Sequence, residues 1–213
     1  MTAATSLALD GPSVDGPWYT QVTDTARHAP AWLNSVAGTW TVYGVLLFGA
    51  LLAAAWWSAR RTGGRAMAAV LCAPFTVGAA LALNAVVKNL VAEQRPCRAL
   101  PGSFTVEPCP ALNDYSFPSN HAAMAGAIAA AVWIVNRRLG VIASVAALLM
   151  AASRVWTGVH YPHDVLAGLA VGVTVVLLAH ALLHRTAARL LPALTRTPLR
   201  PLLTATAADG HER

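Results

Sequence analysis

Three short polar clusters hold the reactive side chains of this chain, and each lies where an apolar run begins or ends. They are Lys88-x6-Arg95-Pro96, Phe117-Pro118-Ser119-Asn120-His121 and Ser153-Arg154-x5-His160-x3-Asp164. Lys88 and Arg95, seven residues apart, fall on one helical face. Arginine offers planar paired donors and lysine a compact point charge, a combination that suits a doubly charged phosphate. Ser119 and Asn120 are both N-cap types directly before an apolar run. A helix start presents unpaired N–H groups to an anion, and His121 falls in that first turn. Asp164, four residues after His160, can hold one imidazole nitrogen and leave the other free to attack. The chemistry these residues share is phosphoryl transfer.

Each cluster has an ordinary explanation on its own. Lys88 and Arg95 could snorkel to a membrane interface, and Pro118-Ser119-Asn120 could be a plain cap. The combination is what needs a position in a fold, and the composition supplies it. The chain has 213 residues, of which 56% are hydrophobic and 11% charged, with mean hydropathy +0.53. Soluble domains carry about 25% charged residues. The expected fold is all-α: an integral membrane bundle of about five transmembrane helices preceded by an interfacial helix. Apolar segments over 37–58, 67–91, 121–136, 139–155 and 163–183 approach or reach the roughly 17–25 residues of a spanning helix. The third is short and dominated by alanine and glycine, which favours close helix packing over lipid exposure. Pro162 suits the first turn of the fifth.

Charge placement predicts orientation. Arg60, Arg61 and Arg65 follow the first segment, Arg137 and Arg138 join the third to the fourth, and Arg185, Arg189, Arg196 and Arg200 follow the fifth. Five spans put all three groups on one side, which the positive-inside rule makes cytoplasmic. Trp56 and Trp57 then mark the inner interface, and Trp40 and Trp156 the outer one. The N-terminus and the loops 92–120 and 154–162 face outward, with every residue of the three clusters at that end. This arrangement accounts for the net charge of +6 without nucleic acid, for which there is no basic face or aromatic platform.

The predicted organisation has three parts. Residues 1–35 form an extracytoplasmic segment without the pattern of a secretory leader. Within it, Asp10 to Pro17 read as a flexible lead, and 18–34 as a weakly amphipathic helix lying on the membrane. Residues 36–184 form the transmembrane domain, and 185–213 a basic, partly disordered cytoplasmic tail. Cys97 and Cys109 flank an outward stretch and can pair, which would contribute about 3 kcal/mol by loop closure; two free thiols are the alternative. Cys72 reads as a small core residue. His163 receives no direct role, and His28, His180, His184 and His211 read as incidental. No zinc-like Cys/His spacing occurs.

The three clusters in this order resemble the type 2 phosphatidic acid phosphatase superfamily of membrane lipid phosphatases, whose signatures are Lys-x6-Arg-Pro, Pro-Ser-Gly-His and Ser-Arg-x5-His-x3-Asp. The first and third match throughout; the second has Asn120 where glycine is usual. The resemblance implies that His160 is the nucleophile, Asp164 its orienting partner and His121 the proton donor to the leaving oxygen. It implies that Lys88, Arg95, Ser119, Asn120 and Arg154 hold the phosphoryl group, with no metal and no cofactor. The compact loop and the Phe-Pro-Ser-x-His form are most similar to bacitracin-resistance-type undecaprenyl-diphosphate phosphatases. The expected partners are a lipid phosphate and the bilayer, in the plasma membrane with the site facing out. A phosphatidylglycerophosphate or phosphatidate phosphatase shares this site, and a non-hydrolytic lipid-phosphate transporter would use its cations alone. The oligomeric state is not legible.

Overall fold

The computed structural model describes residues 10–62, 64–194, 196–198 and 200–204. The expectations for residues 1–9, for His211 and for the end of the basic tail lie outside the described residues. Among those described there is no strand. The helices are α1 (Gly11–His28), α2 (Ala31–Thr62), α3 (Gly64–Val91), α4 (Pro96–Ala99), α5 (Asn120–Val135), α6 (Arg137–Trp156), α7 (Pro162–Leu194) and α8 (Arg200–Leu203).

Four helical segments among the described residues are long and apolar enough to cross a membrane: Ala31–Thr62, Gly64–Ala99, Arg137–Trp156 and Pro162–Ala187. The fifth apolar helix, α5, has only 16 residues, about 24 Å of rise against a hydrocarbon core of about 30 Å. It is the hub of the bundle, packed on α7, α6, α3 and α2. Neighbours rather than lipid surround it, and ten of its residues are buried, seven of them alanine. Close approach to α7 requires glycine. A methyl at Gly168 would meet the Ser119 carbonyl oxygen at 2.5 Å, and one at Gly172 would collide with that of Ala123. Large side chains face outward instead. Ile142, Val145 and Leu149 on α6, and Leu178 and Leu182 on α7, are exposed at helical spacing, as a lipid-facing surface requires. The protein is a multi-pass helical membrane bundle.

Both chain ends depart from expectation. The stretch read as a flexible lead is helical, because Pro12 occupies the first turn of α1, where its missing N–H costs nothing. A break at Asp15 (φ −147°, ψ 26°) restarts the helix, with Pro17 in the next turn. The helix does not extend to residue 34: Ala29 is extended, as the residue before Pro30 prefers to be, and the next helix, α2, begins at Ala31 with Trp32 in its first turn. Helix α1 is also docked on the bundle. It packs on α4, α6 and α7, burying Tyr19, Thr23 and Ala26, and Tyr19 Oη donates to the Gly158 carbonyl at 2.9 Å.

At the other end α7 continues through 185–194. The short helix α8 returns to α2, where Trp56 Nε1 donates to the Leu202 carbonyl at 3.1 Å and Arg60 Nη2 to that of Pro201 at 2.7 Å. Arg60 also lies 4.6 Å from the Trp57 ring centroid.

In the loop between α3 and α5, Cys97 and Cys109 form a disulfide with Cα atoms 6.0 Å apart. Closing so short a loop stabilises the folded chain by about 3 kcal/mol. Cys97→Ser/Cys109→Ser is therefore expected to melt earlier in detergent. Reductant should lower the parent's midpoint to match and leave the variant's unchanged.

Candidate functional site

The ends of α3, α5, α6 and α7 meet beneath the 92–119 loop, and the residues of the three clusters meet there. Lys88 lies in the last turn of α3, Ser119 and His121 at the start of α5, Arg154 in the last turn of α6, and Asp164 in the first turn of α7. Arg95 follows α3 and His160 precedes α7. Lys88, Arg95, Ser119, Arg154, His160 and Asp164 are all buried.

His160 is fixed from both sides. Its Nδ1 is 3.2 Å from Asp164 Oδ2, and its Nε2 is 3.1 Å from Arg95 Nη1. Guanidinium can only donate, so Nε2 presents its lone pair and the ring proton sits on Nδ1, donated to Asp164. Asp164 Oδ2 also accepts from the Tyr161 N–H at 2.7 Å and, in a short contact, from Ser116 Oγ. Burial first, then the positive charges of Arg95, Arg154 and Lys88, hold the His160 imidazole well below its usual pKa. The ring is neutral at neutral pH, the state a nitrogen nucleophile needs.

Two loop carboxylates hold the three cations. Asp114 Oδ1 is 2.9 Å from Arg95 Nη2 and 3.3 Å from Lys88 Nζ, and Glu107 Oε2 is 3.1 Å from Arg154 Nη1. Burial would raise the Asp114 pKa, but Arg95 and Lys88 outweigh it and bring the carboxyl below its usual range. Backbone carbonyls complete the cradle. Lys88 Nζ donates to Tyr115 O at 2.8 Å, Arg95 Nε to Asp114 O at 2.7 Å, and Arg95 Nη1 to Val159 O at 2.9 Å.

The second cluster departs from a plain cap. Ser119 holds the N-cap position, yet its side chain makes no cap bond, and its buried Oγ has no hydrogen-bond partner. Its N–H donates instead to the Asp164 carbonyl at 3.0 Å. The Asn120 side chain turns to α3, accepting from Asn84 Nδ2 at 2.7 Å. His121 lies within electrostatic reach of Arg154, Glu107, Arg95 and Lys88. It borders a cleft of about 280 Å³ with Val45, Leu81, Ala85, Asn120 and Met124.

A match to the model of the PAP2 superfamily covers residues 69–187, from the second turn of α3 to the later turns of α7. The chain belongs to the PAP2 superfamily. Among curated relatives, it is 33% identical to undecaprenyl-diphosphatase BcrC of Bacillus subtilis over 149 residues, which are 70% of this chain and 74% of that protein. An undecaprenyl-diphosphatase of Sulfolobus acidocaldarius is 34% identical over 94 residues, 44% of this chain and 45% of that one. Among solved structures, a transmembrane PAP2-type phosphatidylglycerolphosphate phosphatase from Bacillus subtilis superposes with a TM-score of 0.58 at 22% identity. The match covers 84% of this chain and 89% of that one. Aquifex aeolicus LpxE gives 0.57 at 20% identity, over 78% and 93%. These two likenesses concern the fold.

In this PAP2 chain, all three signatures lie inside the matched region. Several residues around the site were given no part in it by the sequence: Glu107, Asp114, Ser116 and Asn84 beside the signature residues, and His163 with its partners Glu93 and Asp15. One signal was available for three of them, since the loop beside three buried cations carries Glu93, Glu107 and Asp114. Asp15 and Ser116 have no local pattern to distinguish them.

Proposed function

We propose that this hydrolase removes the terminal phosphate of a polyprenyl diphosphate such as undecaprenyl diphosphate, through a phosphohistidine on His160. The observation that carries the reading is the His160 lone pair, held by Asp164 behind and Arg95 in front. In the first step Arg95 Nη1 passes from Nε2 to a phosphoryl oxygen, the freed Nε2 lone pair bonds to the terminal phosphorus, and the P–O bond to the lipid monophosphate breaks. His121 gives its proton to the leaving oxygen. In the second step His121 takes a proton from water, the water oxygen bonds to phosphorus, the P–N bond breaks, and inorganic phosphate leaves. Lys88, Arg95 and Arg154, with Ser119 Oγ and the N–H groups at Asn120, hold the phosphoryl oxygens. A loose, anionic transition state is stabilised chiefly by such fixed positive charge.

The lipid assignment draws on the relatives named as undecaprenyl-diphosphatases and on the apolar cleft beside His121, where Leu81 and Met124 suit a hydrocarbon tail. The outward orientation draws on Arg60, Arg61, Arg65, Arg137 and Arg138 at the end opposite the site, and on a disulfide at the site's own end. The tail after α7 is then cytoplasmic.

Phosphate release by purified protein in detergent with EDTA tests the reading. Undecaprenyl diphosphate, phosphatidylglycerophosphate and phosphatidate would be compared. Release is expected to persist in chelator and to favour the prenyl diphosphate. Preference for a glycerolipid would overturn the lipid assignment and leave the chemistry. Lipid binding with no release from any of the three would support a transporter instead.

A further inference from the structure

A second cluster of ionisable groups lies directly behind Asp164, and the mechanism above makes no use of it. Its centre is His163. The ring's Nδ1 is 2.8 Å from Asp15 Oδ1, and its Nε2 is 3.1 and 3.2 Å from the two Glu93 oxygens. Nε2 also lies 3.5 Å from Asp164 Oδ1. The His163 N–H donates to Asp15 Oδ2 at 2.7 Å. Tyr161 stacks on the ring at 5.4 Å and Phe117 lies 5.7 Å away. The groups facing His163 are therefore Asp15 from α1, Glu93 after α3, Asp164 on its own helix, and two aromatic rings.

Two features define what this cluster does. A neutral imidazole has one N–H donor, whereas both nitrogens of His163 face carboxylates, an arrangement that a doubly protonated ring satisfies with a donor on each side. Asp164 Oδ1 is fully buried and accepts no hydrogen bond. All three hydrogen bonds to that carboxylate go to Oδ2. Glu93 is also buried, at 1% exposure, and like charges sharing a site cannot both stay ionised without a cation between them.

We propose that His163 is a positioning residue, an imidazolium held by Asp15 and Glu93 that keeps Asp164 in its carboxylate form and so keeps the His160 proton on Nδ1. Without it, Asp164 takes a proton and ceases to be an acceptor for His160, whose lone pair is then no longer directed at phosphorus. The cluster makes α1 part of the site: Asp15 sits at the break in that helix, and Gly11 packs so closely on Glu93 and Tyr161 that a methyl group there would collide with both. The inference rests on the proposed His160 mechanism.

The test compares kcat/KM against pH for the parent, His163→Gln, and His163→Gln/Glu93→Gln. In His163→Gln the acid limb is expected to move up by about one unit, so the rate on that limb falls about tenfold and recovers towards the parent at alkaline pH. Removing Glu93's charge as well should bring the limb back. A loss equal at all pH values, or an unmoved limb, would overturn the proposal. Should His163→Gln fail to fold, Glu93→Gln alone is expected to move the limb towards acid, and no movement would count against the idea. A second readout needs no turnover. In 15N-histidine-labelled protein at about pH 7, one ring should show both nitrogens protonated, and that signal should be missing from His163→Gln; only neutral rings would overturn the assignment. A parent that releases no phosphate defeats the proposed function and leaves this second readout standing.

Discussion

His160→Ala should release phosphate at least about 10³-fold more slowly than the parent from every lipid tested, while still binding lipid phosphate within a few-fold. The asymmetry follows from the site's construction. The nucleophile is lost outright, and removing a covalent centre costs several orders of magnitude in kcat. Arg95 loses one of its acceptors but keeps the Val159 and Asp114 carbonyls and the Asp114 carboxylate, so the phosphate cradle remains assembled. Rapid quench with 32P-labelled prenyl diphosphate supplies the direct check. The parent should yield protein-bound label that is stable in alkali and released by acid, and the variant none. Label on His160→Ala, or turnover near the parent's, would remove His160 from the reaction.

The same residue fixes a pH dependence. Burial, then Arg95, Arg154 and Lys88, keep the folded His160 ring from binding a proton, whereas an unfolded imidazole binds one below about 6.5. Attack by His160 therefore survives mild acid, and the acid limb of kcat/KM should not titrate at the ordinary imidazole value. For stability the sign is opposite to that of a salt-bridged histidine. The ring's contribution is complete above the unfolded value and is lost as pH falls through and below it, because the unfolded state then binds more protons.

How far the chain could be read depended on the reach of each signal. Helical spans are written locally, in runs of apolar residues, and the cationic and histidine positions are written at their ends. What went unread depends on partners far apart in sequence. Asp15 meets His163 across 148 residues, Arg154 meets Glu107 across 47, and Ser116 meets Asp164 across 48. No periodicity encodes such pairs, because the path of the 92–119 loop and the docking of α1 decide them. His163 shows the difference well. In sequence it is one more histidine beside a proline; in the fold, three carboxylates converge on its ring. The first turns of α1 were misjudged because glycine and proline were taken as marks of a loop, although proline in a first helical turn is favourable. Helix α5 was legible as a tightly packed element from its alanines alone, and its length of 16 residues makes physical sense only once its neighbours are known to enclose it.

Arg95→Lys keeps the charge and is still expected to reduce kcat by about 10²–10³-fold, because the guanidinium's shape is what the site uses. Arg95 is 4% exposed and addresses four acceptors in different directions: the Asp114 carbonyl at 2.7 Å, the Val159 carbonyl at 2.9 Å, the Asp114 carboxylate at 2.9 Å, and His160 Nε2 at 3.1 Å. A single ammonium cannot span that fork. Each buried carbonyl left unsatisfied costs about 1–3 kcal/mol, and the Nε2 contact that selects the reactive tautomer is lost with them. The loss should fall on kcat more than on KM, since Lys88 and Arg154 still bind the phosphate while the nucleophile is no longer aimed. Lys88→Arg supplies the contrast. Lys88 contacts the Tyr115 carbonyl and Asp114 as a point donor at 2.8 and 3.3 Å and touches neither ring nitrogen of His160, so its exchange should cost far less. Steady-state kinetics on the two variants side by side decide the matter: equal and modest losses would mean that the site reads only charge at residue 95, and the tautomer argument for His160 would fall with it.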